Sequence, residues 1–94
     1  MPRKPRFVRT LVGYRLRILL YPDSKLEGLE GMVIYEYPRA LLLYSNGRTL
    51  LVLKEKALLE VRLPGSRRVV LWGDEILGRP SERIKSARWV LGNA

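Results

Sequence analysis

Ala40-Leu41-Leu42-Leu43-Tyr44-Ser45-Asn46-Gly47-Arg48-Thr49-Leu50-Leu51-Val52-Leu53 reads as two apolar runs folded about one turn. Asn-Gly between such runs is the strongest short hairpin signal, because both residues reach positive φ at little steric cost and the resulting turn matches the twist of the strands. The spacing predicts strands over 40–44 and 49–53.

Toward the amino terminus, Pro38 bends the chain, and 32–37 is a run of branched and aromatic residues that suits a strand. Gly28 and Gly31 introduce it. Before them, Leu16, Ile18 and Leu20 alternate with Arg15 and Arg17, a period of two that predicts a half-buried strand. Pro22-Asp23-Ser24-Lys25 supplies the turn between the two strands.

Toward the carboxyl terminus, Lys54-Glu55-Lys56 is a charged connection, and Leu59, Val61 and Leu63 alternate as a further strand. Pro64-Gly65-Ser66-Arg67 reads as a second hairpin turn. The last strand covers 68–72, with Trp72 expected inside, and ends at Gly73. Asp74 can cap a short turn through Leu77. Beyond Gly78-Arg79-Pro80, the Pro80-Ser81-Glu82 start and the stripe of Ile84, Ala87 and Leu91 predict a helix stopped by Gly92-Asn93.

Five to six short strands with tight turns predict a mainly β fold, a small twisted antiparallel barrel with a C-terminal helix and a basic N-terminal arm. Closing the sheet hides edges that little helix is available to cover, which favours a barrel over an open meander. The expected organisation is an arm over 1–9 carrying Arg3, Lys4, Arg6 and Arg9, a barrel over 10–79, and a helix and tail over 80–94.

A chain of 94 residues makes one domain. Eighteen Lys and Arg against nine Asp and Glu give a net charge of +9, and thirteen of the eighteen cations are Arg. Arginine's planar fork grips phosphate oxygens in pairs, and a strongly basic domain carries the electrostatic footprint of a nucleic-acid binder. Without Cys or His the chain has no thiol nucleophile, no thiolate zinc site and none of the commonest general base. The absence of Gln and the preference for Arg are compatible with a thermophilic source. No apolar run is long enough to span a membrane and no secretory leader is evident, so a cytoplasmic protein without membrane contact is expected.

No catalytic constellation is expected. Asp23, Glu27 and Glu30 cluster in the early loop, and Asp74 and Glu75 near the end, but loop acids at this spacing are ordinarily solvated, and no metal is expected on the protein. The basic residues are the better candidates. Arg15 and Arg17 share a strand face roughly 6–7 Å apart, close to a phosphate repeat. Arg67 and Arg68 sit at a hairpin, Lys56 in the charged connection, and Arg79, Arg83 and Lys85 around the start of the final helix. On so small a body some of them must form a patch.

Three segments carry a family resemblance: Leu11-Val12-Gly13-Tyr14-Arg15, then Leu26-Glu27-Gly28-Leu29-Glu30-Gly31-Met32-Val33, and the run Gly73-Asp74-Glu75-Ile76-Leu77-Gly78-Arg79-Pro80-Ser81-Glu82-Arg83-Ile84-Lys85. Together, over about residues 10–86, they resemble the Sm-like barrel subunit of archaeal ribonuclease P, counterpart of a eukaryotic ribonuclease P and MRP protein. The resemblance implies a subunit that helps the catalytic RNA fold and bind precursor tRNA for removal of the 5′ leader. It implies Mg²⁺ on the RNA and no cofactor on the protein, and other ribonuclease P proteins as partners, typically a zinc-binding one. It also implies basic roles for Arg15, the Gly78-Arg79-Pro80 turn, Arg83, Lys85 and Lys54, the last preceded here by Leu53 where the family usually has Pro. Other classes compatible with the residues are a different RNA-binding small barrel (a ribosomal protein or an Sm-like ring subunit) and a basic protein adaptor.

Overall fold

The computed structural model describes residues 10–78. Its six strands, in chain order, are β1 (Arg15–Leu20), β2 (Glu30–Glu36), β3 (Ala40–Ser45), β4 (Arg48–Leu53), β5 (Leu58–Arg62) and β6 (Arg68–Trp72). They form one antiparallel sheet in the order β4-β3-β2-β1-β5-β6. The sheet curls so that Leu16, Ile18, Val33, Leu41, Leu43, Val52, Leu59, Val61 and Leu71 meet in one core with Leu11, Ala57 and Ile76. The expected arm and C-terminal helix lie outside the described residues. No described helix is long and apolar enough to cross a membrane.

The β3–β4 hairpin forms as its turn residues dictate. Asn46 and Gly47 have φ of 50° and 80°, and Ser45 faces Arg48 across the turn.

Two irregularities could not be seen in the alternation, and each reverses the facing of the residues after it. In β1, Ile18 pairs with Leu59 but Leu20 pairs with Leu58, so Leu19 is an extra residue. Leu20, expected inside with Leu16 and Ile18, is therefore turned out and exposed. Tyr21, the next residue, turns back toward the core and its hydroxyl accepts a hydrogen bond from Leu53 N at 2.9 Å.

In β2, Val33 pairs with Leu43 but Tyr35 pairs with Leu42, leaving Ile34 as the extra residue. Ile34 and Tyr35 are both exposed, and Glu36 is turned inward.

The inward Glu36 meets Lys54, which occupies the next inward position after Val52, just beyond β4. The Lys54 ammonium is completely buried and donates to Glu36 Oε2 at 2.9 Å, Ile76 O at 2.9 Å and Pro38 O at 3.3 Å. The other Glu36 oxygen accepts from Leu11 N at 2.9 Å and Thr10 Oγ1 at 3.2 Å. One buried ion pair thus ties the segment before β1 to the ends of β2 and β4 and to the turn after β6. Burial of an ammonium is tolerable only with this degree of satisfaction.

Trp72, expected inside, lies on the outer face and is 44% exposed. The inward position beside it is filled by Gly73, which packs on backbone: a Cβ added there would lie 1.9 Å from Lys54 O. Gly73 N also donates to Ala57 O at 2.7 Å. The Gly73→Ala variant is expected to lose about 3 kcal/mol of stability, at the upper end of the range for forced overpacking, measured by urea unfolding. Unfolding unchanged from the parent chain would show that the backbone there yields freely.

Candidate nucleic-acid interface

The ladders place the basic side chains. Arg15 pairs with Met32, which pairs with Tyr44. On the other side of β1, Leu16 faces Val61 and Arg17 faces Glu60, so one step further along the ladder Arg15 falls opposite Arg62; Arg62 pairs directly with Arg68. A single outward row therefore runs Tyr44, Met32, Arg15, Arg62, Arg68 across five adjacent strands, and every member is exposed. Adjacent strands lie about 4.8 Å apart, so the three arginines leave the sheet from neighbouring backbone positions.

Like charges directly opposite on a sheet are destabilising. The next outward row partly compensates them. Arg17 and Glu30 are cross-strand partners joined through both Arg17 Nε (3.0 Å) and Nη2. Their hydrogen bond and mutual charge attraction hold the Glu30 carboxyl below its ordinary range and raise the Arg17 guanidinium above its own. Arg68 lies 3.9 Å from Glu60. Among the described residues, neither Arg15 nor Arg62 has an ion pair.

The sequence-derived candidates thus separate. Arg15, Arg17 and Arg68 come together on one face, with exposed Arg67 next to Arg68 at the start of β6. Lys56 does not join them. It lies beside Trp72, Leu20, Tyr21 and Asp74, at the other end of the strands and about 13 Å along β6 from Arg68. Lys54 is corrected outright: its ammonium is buried against Glu36 and two carbonyls, so it presents nothing to a phosphate. Arg79, Arg83 and Lys85 lie outside the described residues.

Arg62 was missed, although the sequence held a signal for it. Leu59, Val61 and Leu63 point inward, so Glu60 and Arg62 must point outward, by the same alternation that places Arg15 and Arg17 outside.

The loop acids have backbone roles. Asp23 accepts from Lys25 N, Glu27 from Tyr21 N, Asp74 from Lys56 N and Glu75 from Trp72 N. They brace turns as the side-chain acceptors of capping motifs do.

Beside the arginine row, a groove of about 700 Å³ lies over β2. Arg15 and Tyr44 stand on its two sides, Met32 lies between them, and Glu30 and Asn46 are among the other lining residues.

Comparison with known proteins agrees with this architecture. A family model described as ribonuclease P/MRP, subunit p29, matches residues 7–86. Ribonuclease P protein component 1 of Staphylothermus marinus is 41% identical over 85 residues, covering 89% of this chain and 92% of the relative. The protein of the same name from Aeropyrum pernix is 39% identical over 93 residues, covering 93% and 84%. The solved structure of Mth11, described as a homologue of human RNase P protein Rpp29, superposes with a TM-score of 0.58 at 28% identity, covering 78% of this chain and 95% of that one. A barrel of this topology, a basic outer face and matches spanning nearly the whole chain agree on one conclusion: the chain belongs to the ribonuclease P/MRP p29 family and is a protein subunit of ribonuclease P.

Proposed function

We propose that the outer face of β1, β5 and β6 is where this subunit holds the ribonuclease P RNA, helping it fold and bind precursor tRNA while the RNA and its Mg²⁺ perform the cleavage. The observation that carries the reading is the Arg15, Arg62, Arg68 row, with an Arg–Arg pair directly across two strands. Such a row costs folding stability on its own and gains it back against a line of phosphates. Each neutralised phosphate releases counterions, and the repulsion that opposes compact RNA falls accordingly.

Arg17 and Arg67 extend the same face, and Arg79, Arg83 and Lys85 are proposed contacts on the strength of the family resemblance. A zinc-binding ribonuclease P protein is proposed as a neighbour on the same ground.

Titrating salt against the cognate RNA tests the electrostatic reading. Log affinity is expected to fall steeply with log salt, by about 0.7–0.9 for each phosphate contacted. In parallel, adding the chain to that RNA is expected to raise precursor tRNA cleavage at limiting Mg²⁺. Binding indifferent to salt would eliminate the proposed role of the row, and capture of ribosomal RNA in place of ribonuclease P RNA would redirect the chain to another assembly.

A further inference from the structure

The groove over β2 holds features that phosphate neutralisation does not use. Tyr44 is 51% exposed on the outer face and has no ring partner among the described residues. A tyrosine placed this way puts its apolar ring in water at a cost, unlike Tyr21, which packs against the core. Arg15 stands two strands away, so Tyr44 and Arg15 face each other across roughly 9–10 Å of backbone spacing. That separation admits one flat aromatic group between a ring and a guanidinium plane.

Met32, unbranched and adaptable, floors the space. Asn46 at the hairpin tip offers an amide donor and acceptor at one end. Glu30 also lines the groove, and its charge is engaged by Arg17. The volume falls within the roughly 300–1,000 Å³ of pockets that hold small organic ligands.

We propose that this groove takes a single unpaired nucleotide of RNA, its base stacked on Tyr44 and its phosphate on Arg62. The inference rests on the RNA-binding reading of the arginine row and adds a preference to it: the face discriminates an unpaired base from a continuous duplex. Stacking on an aromatic side chain is tolerant of base identity, because every base has a π-face. The guanidinium of Arg15 can close over the other side of the base.

The test uses the full chain and two short RNA duplexes, one fully paired and one with a single unpaired adenosine, read by fluorescence anisotropy. The parent chain is expected to favour the unpaired adenosine by about five- to a hundredfold. Tyr44→Ala should abolish that preference and leave affinity for the paired duplex unchanged, while Tyr44→Phe should keep it. Tyr44 is exposed, so both variants fold. A preference that survives Tyr44→Ala, or is lost in Tyr44→Phe, overturns the stacking proposal. Equal, salt-dependent binding to both duplexes in the parent chain also overturns it and leaves the electrostatic reading intact. Failure to bind either RNA at low salt would instead overturn that underlying reading.

Discussion

The Lys54→Met variant is expected to unfold about 3–5 kcal/mol more easily than the parent chain. Among the described residues the ammonium donates to Glu36, Ile76 O and Pro38 O, in a place with no solvent exposure. Removing it takes the ammonium from the buried Glu36 carboxylate, which among the described residues still accepts from Leu11 N and Thr10 Oγ1, and removes a donor from two carbonyls. The penalty belongs to a buried carboxylate deprived of its ammonium more than to the lost attraction. The double variant Lys54→Met with Glu36→Gln should accordingly recover a large part of the loss, because neither member of the pair is then charged. Urea unfolding of the parent, both single variants and the double closes the cycle. Strictly additive losses would contradict a coupled buried pair.

The same variant separates a structural lysine from an RNA-binding one. At temperatures where Lys54→Met remains folded, its salt slope for RNA should equal that of the parent chain. A slope lower by about 0.7–0.9 would return Lys54 to the phosphate contacts.

The second large effect is on affinity. Replacing Arg15, Arg62 and Arg68 together with alanine should lower the salt slope by about two units or more. At physiological ionic strength, each contact of this kind is worth somewhat over half a decade of affinity, so the loss is about a hundredfold. Stability should hold or rise slightly, since the variant removes like charges lying directly opposite on the sheet. The control is equal charge removal at Lys25, Arg39 and Lys56, which are exposed and absent from the row. If the control set weakened RNA binding as much as the row, affinity would track net charge and not placement, and the proposed face would lose its basis.

Most of the architecture was legible because it rests on local chemistry. Asn46-Gly47 specifies its own turn, and the alternation in β5 and the turn at Pro64-Gly65 predict two strands that the ladders reproduce nearly residue for residue. Lys54 shows where that reasoning stops. As part of Lys-Glu-Lys it reads as solvated connection, yet counting by two from Val52 marks it as an inward position. Nothing local says that an inward lysine will find a carboxylate. Glu36 becomes that partner because Ile34 is an extra residue opposite β3, which turns Glu36 from the outer face to the inner one. The extra residue at Leu19 likewise exposes Leu20. A bulge is a property of two strands aligned, so one strand's pattern does not announce it.

The amino-acid order alone specifies a small basic antiparallel barrel of this family and the outward facing of Arg15 and Arg17, because turn residues and period two act over a few neighbours. That Arg15, Arg62 and Arg68 form one row beside Tyr44, and that Lys54 belongs to the core, emerges only once the sheet is assembled. Both depend on register between strands distant in sequence, and register is set by how the whole sheet packs its inner face.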